Sequence, residues 1–136
     1  MTINDPDVVA EVRQAVDAYE VALMANDLMA LDAFFWVSPH TVRYGVAENL
    51  YGFDEIAAFR VGRVGGSPPR ERVRTEIVAI GPDAAVANVE FTRTGTGRNG
   101  RQTQTWVRTS EGWRVVSAHV SLRQEQTDQR GGAVPP

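Results

Sequence analysis

The feature that most constrains the fold is a pair of apolar-alternating segments near the C-terminus, over residues 101–109 and 113–123. They flank a short polar connection that ends in Gly112, which predicts an antiparallel β-hairpin. One face of the second strand is apolar and is predicted to be core: Val116, Ala118, Val120 and Leu122. The other face turns polar, with His119 between Ser117 and Ser121. A half-apolar, half-polar face of this kind predicts the wall of a cavity.

The composition excludes several kinds of chemistry. The chain has 136 residues, the size of one domain, and no cysteine, so disulfides, thiol nucleophiles and cysteine-ligated metals are excluded. Its two histidines, His40 and His119, stand far apart and in no metal-ligand spacing, so no metal is expected. All 14 basic residues are arginine, which excludes a Schiff-base lysine and a P-loop.

Charge and hydropathy also limit the partners and the location. A net charge of −3 argues against nucleic acid. No apolar run reaches the length of a membrane span, and the polar, acidic N-terminus does not resemble a signal peptide. We therefore expect no membrane association and a cytoplasmic location.

The order of elements predicts an α+β fold. Asp5-Pro6 is suited to begin a helix, which continues to Leu23, and further helices are predicted over 28–35 and 54–63. A short strand is predicted over 41–44, a loop over 45–52, and long strands over 72–80 and 85–93 before the hairpin. The expected architecture is a cone-shaped, curved antiparallel sheet covered by N-terminal helices. Residues 1–123 form this single domain, and residues 124–136 are predicted to be a polar, flexible tail.

Three segments resemble one branch of the nuclear-transport-factor-2-like (SnoaL-like) superfamily. They are Arg43-Tyr44-Gly45 with Glu48 to Gly52, Glu55-Ile56 with Phe59-Arg60 and Arg63, and the hairpin from Gln104 to Ser121. Together they resemble the AtzH-like family, which is associated with cyanuric acid and oxalurate catabolism. The resemblance implies removal of one carboxylate-bearing end from 1,3-dicarboxyurea, giving allophanate. It also implicates a tyrosine of the first helix and an arginine that begins an Arg-Tyr-Gly segment, here Tyr19 and Arg43.

The residues themselves suggest the same pair. Val42 and Tyr44 point to the other side of their strand, so Arg43 is predicted to face the covered interior. A buried guanidinium needs an anion, which is either a ligand carboxylate held bidentately or a protein carboxylate such as Glu48. Tyr19 is either a core tyrosine with a backbone partner or a proton donor at the cavity, where a nearby arginine stabilises the phenolate.

Other residues are predicted to shape the substrate site. His119 is a candidate for acid–base work or a half-buried structural histidine. Trp106 and Gln104 share a face of the neighbouring strand, and Trp106 can form a wall or a platform for a planar urea. Further contacts are expected from Ser121, from Glu48 as a loop residue closing over the ligand, and from Arg60 as a second anion contact. Arg63, three residues after Arg60 on the same predicted helix, is a candidate for the same contact, although a solvated surface position is the preferred interpretation for it.

The leading hypothesis is a cofactor-free enzyme that cleaves a small carboxylated ureido or amide compound, by amide hydrolysis or by decarboxylation. The alternatives are a SnoaL-like isomerase, dehydratase or cyclase, and a non-catalytic ligand-binding or accessory protein. The expected partners are a small carboxylated substrate, a second copy of the chain in a homodimer, and a pathway amidase.

Overall fold

The computed structural model describes residues 1–127 and 133–134. It contains three helices, α1 (Pro6–Met24), α2 (Leu28–Ala33) and α3 (Phe53–Gly62). The strands are β1 (Val42–Tyr44), β2 (Asn49–Tyr51), β3 (Arg70–Ile80), β4 (Ala84–Arg93), β5 (Asn99–Thr109) and β6 (Gly112–Leu122), followed by the two-residue strands β7 (Gln126–Thr127) and β8 (Ala133–Val134). Each predicted helix and long strand is present, within two residues at most ends.

One curled, unclosed sheet organises the molecule, with the strand order β2-β1-β6-β5-β4-β3. The helices lie against its inner face: α1 packs on β3 and β4, α2 on α1, and α3 on β2. Asp5 caps α1 by accepting a hydrogen bond from the amide of Asp7 at 2.9 Å, and Pro6 occupies the first turn. The predicted α+β fold class is confirmed.

Two details of the sheet were not predicted. Residues 49–51, expected in a loop, form the edge strand β2, which pairs antiparallel with β1. β1 itself runs parallel to β6, because the chain leaving α2 already lies along β6 in that direction. There the Phe34 carbonyl accepts from the Val115 amide at 2.7 Å, and the Trp36 amide donates to the Val115 carbonyl at 3.0 Å.

A β-bulge in β6 determines which of its residues face inward. Thr105 pairs with Ser117 and Trp106 with Val115, so Val116 is the extra residue. Val115, Ala118 and Val120 are buried against the helices. The predicted division of β6 into a core face and a cavity face is therefore wrong. The inner face contains both core and cavity residues, and the polar face is the outer one.

The predicted tail falls only partly within the described residues. β7 pairs antiparallel with β8 through Gln126 with Val134 and Thr127 with Ala133. Residues 128–132 and 135–136 lie outside the described residues, so the flexibility of this segment stays a prediction. Within the described residues, no helix has the length and apolar character needed to cross a membrane.

Candidate functional site

A cavity of about 290 Å³ lies between the C-terminal half of α1, the β1–β2 loop, the end of α3 and the inner face of the sheet. Its apolar lining comes from Leu23, Val46, Ala47, Phe59, Pro68, Phe91 and Val120. Its polar lining comes from Tyr19, Arg43, Glu48, Arg63, Ser67, Arg70, Arg93 and Gln102. Because four of these residues are arginines and only one is a carboxylate, the cavity suits a small anion.

Arg43 projects from the centre of β1 into this cavity, as its sequence neighbours predicted. It pairs with Ala118 across β6, on the inner face, whereas Tyr44 pairs with His119 on the outer face. Its Nη1 donates to Glu48 Oε1 at 3.0 Å, and its guanidinium carbon lies 5.7 Å from the centre of the Phe59 ring. Glu48 engages one terminal nitrogen only, which leaves other N–H donors available to a ligand carboxylate.

Glu48 is held at Arg43 by the loop that joins β1 to β2. The Gly45 amide donates to the Glu48 carbonyl at 2.8 Å, and the Ala47 amide donates to Glu48 Oε2 at 3.3 Å. A Cβ atom on Gly45 would overlap the Glu48 carboxylate, so only glycine leaves room for it. Glu48 therefore forms the ion pair with Arg43 that was one of its two predicted roles, and it uses a donor that a ligand carboxylate could also take.

Tyr19 lies on the buried stripe of α1, with 3% of its surface exposed, and it borders the same cavity as Arg43. Its ring packs edge-on against Phe34 at 5.9 Å and Trp106 at 6.5 Å, which fixes its direction. Within residues 1–127 its hydroxyl makes no hydrogen bond, so the predicted backbone partner of a core tyrosine is missing. A phenol in this position can donate a hydrogen bond or a proton to a bound ligand.

Arg60 and Arg63 have exchanged their expected places. Arg60 is 4% exposed and donates from Nη1 to Asp32 Oδ1 at 2.7 Å, stacking on the Phe35 ring at 4.5 Å. It therefore ties α3 to α2 and does not line the cavity. Arg63 lines the cavity instead, half-buried against the Phe59 ring at 5.2 Å.

Arg63 is poorly compensated in this position. Burial lowers the pKa of its guanidinium from the ordinary value, and the nearby charge of Arg43 lowers it further, whereas Tyr19 and Glu48 act in the opposite direction. Its Nε is buried and has no hydrogen-bond partner within the described part of the chain.

Arg70 also lines the cavity, and its guanidinium has three hydrogen bonds to protein side chains. The sequence did not point to this residue. Its Nε and Nη2 donate to the two carboxylate oxygens of Glu20 at 3.0 and 2.7 Å, and Nη2 also donates to Gln102 Oε1 at 2.8 Å. Its guanidinium carbon lies 4.4 Å from the centre of the Phe91 ring. Glu20 and Gln102 are 50 and 32 residues away in sequence, so no local signal could have revealed the cluster.

Comparison with known proteins supports one family. The family model described as AtzH-like matches residues 1–126. The chain belongs to the AtzH-like family. No protein with a curated description matches this AtzH-like chain.

Two solved structures are similar in both sequence and fold. A DUF3225-family protein from Pectobacterium atrosepticum is 52% identical, with a TM-score of 0.86 over 90% of this chain and 95% of that chain. A protein with a cystatin-like fold from Burkholderia xenovorans is 44% identical, with a TM-score of 0.87 over 93% and 99% of the two chains.

A more distant structure shows the wider fold. An NTF2-like superfamily protein from Salmonella enterica is 23% identical, with a TM-score of 0.73 over 92% of this chain and 97% of that chain. At that identity the likeness shows the fold alone. The resemblance seen in the sequence is confirmed for the family and for the fold.

The structure of this AtzH-like protein places Trp106 and Gln104 in the core and not on the cavity surface. Trp106 is fully buried, and its Nε1 donates to Gln104 Oε1 at 3.1 Å. Trp106 thus packs against the Tyr19 ring within the core, and it does not line the cavity where a ligand could stack on it. Gln104 is 1% exposed, and its Nε2 has no hydrogen-bond partner among the described residues.

His119 and Ser121 lie on the outer face of the sheet and do not line the cavity. The His119 side chain is exposed, and its ring packs edge-on against Tyr44 at 5.6 Å. Ser121 Oγ accepts from Arg101 Nε at 3.4 Å, also on that face. The bulge at Val116 explains the error, because the inner face of β6 continues from Val115 to Ala118. Within the described residues, no three side chains of the metal-binding types come together.

Proposed function

We propose that this AtzH-like protein is a cofactor-free enzyme that acts on a small carboxylated ureido compound of the 1,3-dicarboxyurea type, in nitrogen catabolism. The observation that carries the proposal is that two groups border one cavity: Tyr19, a proton donor without a hydrogen-bond partner among the described residues, and Arg43, an incompletely paired cation. A substrate with a carboxylate and an adjacent scissile C–N bond can engage both groups at once.

Binding begins at Arg43. One substrate carboxylate takes two N–H donors of the guanidinium, and the low-dielectric surroundings strengthen this contact. The Glu48 carboxylate must yield part of its place, because two carboxylates next to each other repel. Phe59 packs beside the guanidinium, and its ring limits the access of water to the contact.

The cleaved bond joins a substrate nitrogen to its second carboxylate. When this C–N bond breaks, its electron pair goes to the nitrogen, which takes a proton from the Tyr19 hydroxyl, and the carboxylate leaves as carbon dioxide. The balanced step converts 1,3-dicarboxyurea and one proton into allophanate and carbon dioxide. The phenolate, stabilised by the arginines, then takes a proton from water.

Decarboxylation fits the cavity better than hydrolysis. Hydrolysis needs a base to activate water, and the one carboxylate among the described lining residues, Glu48, is already paired with Arg43. Loss of carbon dioxide needs a proton donor and an apolar surface for the departing neutral molecule, which Leu23, Phe91 and Val120 offer.

The test is incubation with 1,3-dicarboxyurea, following carbon dioxide and allophanate. Tyr19→Phe should lower the rate about 100-fold or more. Its unfolding free energy should change by less than about 0.5 kcal/mol, because no described hydrogen bond is lost. Arg43→Ala should weaken binding as well as turnover. Arg13→Ala serves as the matched control, since Arg13 is exposed on α1 and does not line the cavity.

Labelled water separates the two routes. Decarboxylation in H₂¹⁸O releases carbon dioxide whose two oxygen atoms both come from the substrate, so it is unlabelled until it exchanges oxygen with water. Hydrolysis places one labelled oxygen in the bicarbonate or in the retained ureido product. Incorporation at the first turnover would therefore exclude decarboxylation and favour hydrolysis.

The alternatives give different outcomes. A ligand-binding accessory protein, working beside a pathway amidase, would bind the substrate without releasing carbon dioxide. That alternative needs only the contacts of Arg43 and Tyr19 at the cavity, because one arginine and one tyrosine can bind a ligand without reacting with it. An isomerase, dehydratase or cyclase would need Glu48 as its base, so Glu48→Gln would abolish its activity. Sedimentation of the full chain tests the proposed homodimer.

A further inference from the structure

The arginines of the cavity differ in how their charges are balanced. Arg70 is paired with Glu20 at 2.7 Å, and Arg43 with Glu48 at 3.0 Å. Arg63 makes no ion pair within the described residues, and its buried Nε has no acceptor. Among the described residues, two arginines of the cavity lining, Arg63 and Arg93, have no ion pair. Of these two, Arg63 lies on the same ring as Arg43, whose guanidinium is paired through one nitrogen only.

Arg43 and Arg63 are held on one aromatic ring. The two guanidinium carbons lie 5.7 and 5.2 Å from the centre of the Phe59 ring. They are therefore no farther apart than these two distances combined, which is within the reach of one small molecule that carries an acceptor at each end. Burial lowers the pKa of Arg63, and the nearby positive charge of Arg43 lowers it further, so the two guanidiniums repel each other.

We propose that Arg63 is a second anion anchor, so that the site is specific for a dianion with one carboxylate at Arg43 and the other at Arg63. This inference rests on the proposed function for the identity of the cavity, and it adds a specificity-determining residue and a charge class. A dianion satisfies both guanidiniums and removes their mutual repulsion. A monoanion leaves one of them without a partner.

The two anchors have different consequences for turnover. The carboxylate at Arg43 stays with the product, whereas the carboxylate at Arg63 is the one lost as carbon dioxide. Once it has left, the product is a monoanion and Arg63 has lost its partner. The site therefore binds substrate more tightly than product, which assists product release. Because Arg63 stabilises the carboxylate of the bound substrate more than the departing neutral molecule, its removal should raise KM and should leave kcat unchanged or higher.

Glutarate and butyrate are suitable probes because they are stable and matched. In glutarate, as in 1,3-dicarboxyurea, three atoms separate the two carboxylate carbons, and butyrate has one carboxylate fewer on the same chain. Isothermal titration of the full chain should show glutarate binding at least about tenfold more tightly than butyrate. In Arg63→Met this preference should fall to about twofold or less, with butyrate affinity unchanged. Arg63→Lys should retain part of it, because the charge stays but the planar fork is lost.

Two controls make the result specific. Arg13→Met removes an exposed arginine elsewhere and should keep the full preference for glutarate. Arg43→Met should weaken both probes, because it removes the anchor that they share. Melting temperatures of all variants establish that each is folded before binding is compared.

Two outcomes would overturn the inference: equal affinity of the parent protein for the two probes, or an unchanged preference in Arg63→Met. Neither outcome is the same as failure of the proposed function. A parent protein that prefers glutarate through Arg63 but releases no carbon dioxide from 1,3-dicarboxyurea would retain the dianion site and reject the enzyme.

Discussion

Two arginines at either end of the segment 63–70 border the same cavity but have opposite surroundings. Arg70 has two hydrogen bonds to Glu20, one to Gln102 and a stacking contact with Phe91. Arg63 contacts one ring, Phe59, and its Nε has no partner among the described residues. Arg70 is buried and Arg63 is partly buried, and the two differ most in the number of hydrogen-bond acceptors that their guanidiniums have.

The difference shows how a structural arginine can be told from a binding arginine. A buried charge whose donors are already used stabilises the fold and has little left for a ligand. A partly buried charge without an acceptor destabilises the empty protein, and an incoming anion relieves it. Arg43 is intermediate, because Glu48 engages only part of its fork. The comparison predicts a graded series of mutational effects.

Arg70→Met is expected to have the largest effect on stability. It leaves the Glu20 carboxylate, whose side chain is only 13% exposed, without its counterion. Breaking a buried pair in this way lowers the free energy of unfolding by about 3–5 kcal/mol. Urea unfolding measures this loss.

The double variant Arg70→Met with Glu20→Gln is the control for that loss. It removes the unpaired charge together with its partner, so it should recover most of the stability. If the single Arg70→Met variant is as stable as the parent protein, the ion pair between Arg70 and Glu20 does not stabilise the fold.

Glu48→Gln is expected to have the next largest effect, on binding. The neutral amide no longer repels the carboxylate that approaches Arg43, so glutarate affinity should rise about tenfold, or about 1.4 kcal/mol. Stability should fall by about 1 kcal/mol, because one charge-assisted hydrogen bond is weakened. Titration calorimetry and urea unfolding measure the two changes. Weaker glutarate binding would mean that Glu48 contacts the ligand favourably.

Gly45→Ala tests the same contact from the backbone side. The added methyl group takes the space of the Glu48 carboxylate and forces it away from Arg43. Since Gly45 does not have a positive φ, alanine is tolerated there without backbone strain. Glutarate affinity should rise in the same direction as in Glu48→Gln but by only about threefold, because the carboxylate stays nearby. Unchanged affinity would show that Glu48 does not compete with the ligand.

The fold could be predicted from local patterns. The apolar stripe of α1, the Gly-Pro segment after α3 and the alternation of the long strands each follow from short-range periodicity. β2 and the parallel pairing of β1 could not be predicted, because both depend on how the chain leaving α2 lies along Val115 of a strand formed much later. Long-range pairing of this kind leaves no signal in the neighbouring residues.

The site could be predicted in part. Arg43, Tyr19 and Glu48 follow from strand alternation, helix periodicity and the resemblance, and the structure brings all three to one cavity. His119 was misplaced because the bulge at Val116 shifts the alternation by one residue, and alternation cannot reveal a bulge.

The exchange of Arg60 and Arg63 has a separate cause at the end of a helix. Arg63 caps α3 with extended backbone angles, φ −84° and ψ 102°, so its side chain leaves the helical face that periodicity assigns to it. Arg60 remains within the helix and finds Asp32, 28 residues earlier in the chain. A helical pattern therefore predicts the position of Arg60 better than that of Arg63.

Arg63→Met is expected to have the smallest effect on stability and is the sharpest contrast to Arg70→Met. It removes a charge that has no described ion-pair partner, that is partly desolvated and that Arg43 repels. Since a guanidinium whose folded-state pKa is lowered opposes folding at every pH below that pKa, its removal lifts a penalty at neutral pH. The side-chain packing on Phe59 is largely kept by methionine. The free energy of unfolding should therefore stay within about 0.5 kcal/mol of the parent value, or rise. Urea unfolding without any anion measures this value, and a loss as large as that of Arg70→Met would show that Arg63 is a structural arginine.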